Sequence, residues 1–181
     1  MNGPVDPHGA GPAYGLAHKA ERAAWQCTWL VLARWTPPPL FAWRAWLLRV
    51  FGARIGANVR IHASARIWRP RNLACEDGVL IGPGAIIYNQ GRIAIGRGSV
   101  VSQRAHLCAG THDVHDRHFA HVERPIRLGA GCWVAAEAFV GPGVEMEDGA
   151  VLGARGALFE DAQAMTIYRG NPAMPIGARR L

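Results

Sequence analysis

A chain of 181 residues with 50% hydrophobic and 18% charged residues is one domain with a real core, which excludes a disordered chain and a charged coiled coil. The formal charge of +7 comes almost wholly from arginines that read as scattered rather than gathered into a stripe, so no nucleic-acid partner is indicated. Twenty-two glycines without a collagen period need a structural reason.

Residues 1–16, opening on a Gly- and Pro-rich stretch with neither a basic n-region nor an apolar h-region, read as a flexible N-terminus and predict a cytoplasmic protein. The four cysteines, Cys27, Cys75, Cys108 and Cys132, contain no CxxC pair and read as buried small residues in a reducing compartment. Residues 17–51 predict two short helices, Ala17 to Trp35 and Leu40 to Val50, separated by Pro37-Pro38-Pro39. Five of the seven tryptophans lie in this segment, and Trp25 and Trp29 share one helical face. That face either packs on the main domain or, with its arginines, makes a peripheral contact with the inner face of a membrane. Arg34, Arg44 and Arg49 interrupt the apolar run, so it cannot span a bilayer.

From residue 52 to 163 the sequence repeats every six residues. Leu128, Val134, Val140, Met146, Leu152 and Leu158 form an unbroken aliphatic series, and four residues after each stands Cys132, Ala138, Val144, Ala150, Gly156 or Ala162. The frame recurs at Ile95, Val101 and Leu107, and more loosely at Ile55, Ile61, Ile67 and Leu73, where Arg71 and Asp77 occupy small positions. A period of six cannot follow a helix of 3.6 residues per turn. It fits one side of a triangular prism: three hexads close a coil, coils stack at the parallel-strand spacing, and glycine serves the corners. The fold predicted is an all-β parallel β-helix of about six coils with a short helical N-terminus. Residues 164–181 form a C-terminal segment outside the frame.

The repeat breaks after His112, and residues 113–125 form an excursion before Ile126 resumes it. His106, His112, His115, His118 and His121 fall in or beside it. A loop projecting from a regular scaffold is where chemistry concentrates. The cluster offers a general base for a hydroxyl, a zinc-type metal site, or an inert polar loop, and it lacks a clear ligand pattern. Asp113 either orients a neighbouring imidazole or stands as a solvated loop carboxylate.

Gly110-Thr111-His112-Asp113, Ile126 to Gly129, Cys132 to Val144 and Gly170-Asn171-Pro172-Ala173 resemble the hexapeptide-repeat O-acetyltransferases, more narrowly the colanic acid biosynthesis acetyltransferases, relatives of the maltose, galactoside and nodulation-factor enzymes. The resemblance runs from about Leu48 to Ile176. It implies a left-handed coil, a homotrimer, acetyl-CoA as co-substrate without a metal, and a saccharide or lipid-linked sugar as acceptor. His112 takes the place of the family's general base, Asn89 of an acceptor contact and Trp133 of the tryptophan lining the site. A backbone N–H near Ala136 takes the place of the oxyanion donor, and Ala136 and Ala154 of the pantetheine contacts. Glu160 departs from the basic residue usual for the CoA phosphates, which leaves Arg169, Arg179 and Arg180 to supply that charge. The same scaffold also carries carbonic-anhydrase-like metal lyases, and a solenoid can bind without catalysis.

Overall fold

The computed structural model describes residues 14–180; the opening stretch 1–13, expected to be flexible, lies outside the described residues. Residues 54–170 wind as a left-handed β-helix of about six coils. The first face stacks Arg54–Ile55, Leu73–Cys75, Ile93–Ile95, Ile126–Leu128 and Glu145–Met146 in parallel, with Ala162 bridging to Met146 as a sixth rung. The second stacks Arg60–Ile61, Leu80–Ile81, Val100–Val101, Trp133–Val134, Val151–Leu152 and Thr166–Gly170. The third stacks Arg66–Ile67, Ile86–Tyr88, His106–Cys108, Phe139–Val140 and Ala157–Leu158. Ala173–Ala178 turns back antiparallel on Thr166–Gly170 and closes the far end.

Every aliphatic of the strict hexad series is buried inside the prism, as is every small residue four positions later. Leu128 pairs with Met146 across one coil of three hexads. In the first coils the frame slips. Ile55 pairs with Cys75 and Cys75 with Ile95, not with Leu73, because the corner between the third and first faces holds two extra residues in each. There Pro70–Asn72 forms a 3-10 turn, and Leu73 and Cys75 both point inward from one strand. Corners elsewhere are tight: Gly78, Gly98, Gly131 and Gly149 sit one above another in the left-handed region, where a side chain is strained.

The helices α1 (Leu16–Leu32) and α2 (Phe41–Val50) cap the N-terminal end of this prism. Coils pair by N–H groups of one coil meeting C=O groups of the next, so the first coil's carbonyls point outward with no coil to receive them. Arg49 donates to Ile55 O, Arg44 to Ile61 O, Trp29 to Ala63 O and Trp25 to Ile67 O, which covers all three sides. Trp25 and Trp29 are buried, so their shared face packs on the main domain, whereas Trp35, Trp43 and Trp46 are exposed. Among the described residues no helix is long and apolar enough to cross a membrane. All four cysteines are free, and burial pushes the Cys75 thiol up to about 12.

Arg44 is fully buried and donates to Ile61 O, Pro37 O, Pro38 O and Thr36 Oγ1. Arg44→Met leaves these acceptors unmet under apolar side chains and is expected to cost about 3 kcal/mol, read from urea melts.

Candidate active site

The excursion is a β-hairpin, and it begins earlier than the break in the hexads indicates: Gly110–His112 is already its first strand, antiparallel to His121–Glu123. It leaves the widened corner between the third and first faces. Gly110 passes so close to Gln90 Oε1 that a Cβ there would collide with it. This close approach lets Gln90 Oε1 accept from His121 Nε2 at 2.9 Å, which fixes the hairpin on the prism.

His112 stands opposite His121 in this ladder and is exposed. Its ring stacks on Phe119 at 4.6 Å and 13° and meets the His121 ring edge-on at 5.5 Å. Its Nδ1 lies 2.7 Å from the Phe119 carbonyl oxygen. A carbonyl only accepts, so Nδ1 carries a proton, and in the neutral ring the lone pair is on Nε2. Phe119 adopts a left-handed φ of 54° to turn its carbonyl inward. The orienting role expected of Asp113 is thus filled by the Phe119 backbone. The Asp113 carboxylate instead accepts from His115 N–H at 2.9 Å, stabilising the hairpin tip.

Asn89 is fully buried at the same corner, with its carbonyl oxygen accepting from Arg69 N–H and its amide donating to Arg69 O. Its side chain is therefore committed to holding two widened corners together. Side chains from α1 and the prism come close around it. Tyr14 packs its ring 4.0 Å from His18 and 5.6 Å from His121, and donates its hydroxyl to Glu123. The Arg22 guanidinium lies over Trp68 at 3.2 Å, and Trp68 meets Tyr88 edge-on. Five buried polar atoms here have no partner among the described residues: His18 Nε2, Arg22 Nε, Trp68 Nε1, Arg69 Nε and His106 Nε2. Three of them are obligate donors.

Burial between the Tyr88 and Phe139 rings pushes His106 below its ordinary 6.5. Below pH 6.5 the unfolded chain therefore takes up a proton that the folded one resists, and stability falls as pH falls. His106→Phe is expected to flatten that slope in urea melts taken across this range. His18 and His62, lowered in the same way by burial, keep part of it.

Trp133 is on the second face, 46% exposed, and donates from Nε1 to Ser102 Oγ at 2.9 Å. The second face lies opposite the corner that carries His112, so one chain does not bring Trp133 and His112 together. Ala136 and Ala154 lie one coil apart at the corner between the second and third faces. With Gln103 in the coil before, their N–H groups form a row that meets no acceptor among the described residues. The corner between the first and second faces differs. There the matching N–H groups of Ala57, Arg97, Ala130 and Ala164 are capped by Asp77, Glu76, Asp148 and Glu147. The open row is flanked by Arg104, Glu137 and Arg155, stacked one per coil with left-handed backbones and paired through Glu137 at 3.1 and 2.7 Å. Sequence reasoning missed this ladder and Phe119. The 18-residue step from Glu137 to Arg155, one coil, was a signal for the ladder, but no residue pattern marks Phe119.

Arg179 donates to Gly131 O and Gly149 O, across the second face from the open row, and borders Trp133 in a shallow cleft. Arg180, Arg169 and Glu160 are exposed. Among the described residues no three His, Cys, Asp or Glu side chains converge to hold a metal ion.

No family model matches the chain. It is 43% identical over 155 residues to the "Putative colanic acid biosynthesis acetyltransferase WcaF" of Escherichia coli K12, covering 86% of this chain and 85% of that protein. A protein of the same name from Shigella flexneri matches equally. Among solved structures, a galactoside acetyltransferase in complex with coenzyme A superposes with a TM-score of 0.84 at 19% identity, over 99% of this chain and 92% of that one. A hexapeptide-repeat acetyltransferase of Vibrio cholerae complexed with acetyl coenzyme A gives 0.84 at 16% identity, over 93% and 92%. The structural matches show a common fold, and the sequence match reaches further: the chain belongs to the WcaF family of hexapeptide-repeat acetyltransferases.

Proposed function

We propose that the protein is an acetyl-CoA-dependent O-acetyltransferase that acts as a homotrimer on the hydroxyl of a saccharide bound for an exopolysaccharide, in the cytoplasm where acetyl-CoA is made. The observation that carries this reading is His112, whose Nδ1–H is spent on Phe119 O while Nε2 meets no partner among the described residues, at the base of the hairpin that interrupts the repeat. Nε2 takes the proton of the acceptor hydroxyl as its oxygen attacks the thioester carbonyl. The oxyanion of the tetrahedral intermediate is held by the N–H of Ala136 of the partner subunit. Collapse breaks the C–S bond, and the departing CoA sulfur recovers the proton from His112. The proton is returned, and the acetyl group ends on the sugar oxygen.

The row of open N–H groups at Gln103, Ala136 and Ala154 supports the co-substrate. Donors spaced about 4.8 Å apart along a prism edge suit the carbonyls of an extended pantetheine arm. Arg179 and Arg180 are the candidates for the CoA phosphates, since Glu160 takes the usual basic place. A subunit interface is favoured because Trp133 and the open row lie away from the His112 corner within one chain. The relative's name carries the exopolysaccharide class.

The test is a mass-spectrometric screen of saccharides and lipid-linked sugars for an acetyl gain that requires acetyl-CoA. An acceptor acetylated by the parent and not by His112→Ala supports the reading. Acetylation at the parent rate by the variant overturns the assignment of the base, and binding of neither CoA nor acetyl-CoA overturns the activity.

A further inference from the structure

We propose that the N-terminal end of the prism docks on an anionic membrane surface, with the outer face of α2 and the end of α1 entering the headgroup layer and a belt of arginines resting on the phosphates. The inference is independent of the catalytic reading.

Arg49, Arg44 and Trp25 reach carbonyls on all three sides of the first coil, so the helices lie across the open end of the prism. The face of α2 turned away from that end presents Trp43, Trp46 and Val50 at helical spacing, all exposed. Trp43 donates to Leu32 O, which joins this face to Val31, Leu32 and Trp35 at the end of α1. Trp35 is 81% exposed, Val31 69% and Val50 60%. A contiguous apolar patch of this kind on one end of a protein marks an interaction surface.

Charge decides what it meets. Residues 14–75 hold ten of the 20 Lys+Arg and one of the 13 Asp+Glu, a formal +9, and the rest of the chain is a formal −2. Half of the basic residues therefore belong to the N-terminal helices and the first coils. Arg54, Arg60 and Arg66 start the first strand of each face and point outward, forming a ring around the base just behind the apolar tip. An end-to-end contact with a second copy would set +9 against +9. A nucleic-acid backbone offers nothing to Val31, Leu32 and Val50. Anionic lipid matches both parts: acyl boundary for the tryptophans and aliphatics, headgroup phosphate for the arginines. With no spanning helix among the described residues, the contact is peripheral. His112 leaves the third coil, about 10 Å along the axis from the first, so the docked end lies near the corner where a sugar would enter. In the proposed trimer three such tips face one way, a consequence that rests on the functional reading.

Flotation of the full chain with phosphatidylcholine vesicles, with and without phosphatidylglycerol, tests this. The chain is expected to float with the phosphatidylglycerol vesicles, to be released by salt, and to stay largely unbound with phosphatidylcholine alone. Trp35→Ser with Trp46→Ser lowers partitioning on the order of tenfold. Arg54→Gln, Arg60→Gln and Arg66→Gln lower it about fivefold each and flatten the salt dependence. None of these five side chains makes a hydrogen bond among the described residues, so unchanged thermal melts confirm that the variants fold. A parent protein that never floats, equal flotation on neutral vesicles, or tryptophan variants that float like the parent would overturn the proposal. So would a larger parent oligomer that the tryptophan substitutions split, because a second copy would then own the face.

Discussion

His112→Ala is expected to lower kcat by about two to four orders of magnitude, with the KM for acetyl-CoA nearly unchanged. In the proposed mechanism the side chain meets the reacting hydroxyl and not the pantetheine arm, so its loss falls on the chemical step. The ring is held by a backbone carbonyl, a stacked phenyl face and the edge of His121, and none of these needs the imidazole for the hairpin to form. His121 stays fixed to Gln90, which keeps the variant folded. Asp113→Asn serves as the contrast. Its carboxylate meets His115 N–H and not the imidazole, so the same assay should show a loss of less than about tenfold. Steady-state kinetics with an acceptor found by the screen separates the two.

Ala136→Pro is the second large effect, with an expected loss in kcat of about 10² to 10³. The substitution removes one N–H and adds no charge. The corner accepts it, because Pro83 already occupies the matching position in an earlier coil of the same edge, where Arg104 N–H pairs with its carbonyl just as Arg155 N–H pairs with that of Ala136. The prism should melt as the parent does while the oxyanion loses its proposed donor. Ala154→Pro, one coil further on, removes a donor from the row proposed to hold the pantetheine arm and should raise the KM for acetyl-CoA with a smaller change in kcat. A melt unchanged beside a kcat unchanged would remove Ala136 from the chemistry.

The prism is legible wherever its coils hold eighteen residues. From Leu128 to Leu158 the inward aliphatic and the small residue follow each other without exception, and the structure buries each one. The two extra residues at the third corner of the first coils hide the true partner of Ile55, because Leu73 keeps the hexad count while Cys75 keeps the stack. The hairpin start is hidden for a related reason: Gly110 to His112 reads as the tail of a coil until Gln90 is seen to fill the space beside Gly110. What a backbone group does is the least legible of all. The hold of Phe119 O on His112 leaves no trace in residue type, whereas the capped edge carries its Asp and Glu side chains in the sequence. The tryptophans divide likewise. Trp25 and Trp29 reach carbonyls of the first coil and Trp35, Trp43 and Trp46 do not, a difference set by where α2 lies after the prolines.

The central claim is that His112 of one protomer works against the Ala136 edge of the next. Mixing His112→Ala with Ala136→Pro chains under conditions where trimers exchange tests it. Neither variant alone is active, but random mixing pairs an intact histidine with an intact edge in about a quarter of the interfaces. Acetylation should recover to about a quarter of the parent rate at equal mixing. A mixture no more active than its components would contradict the account, placing base and donor in one chain.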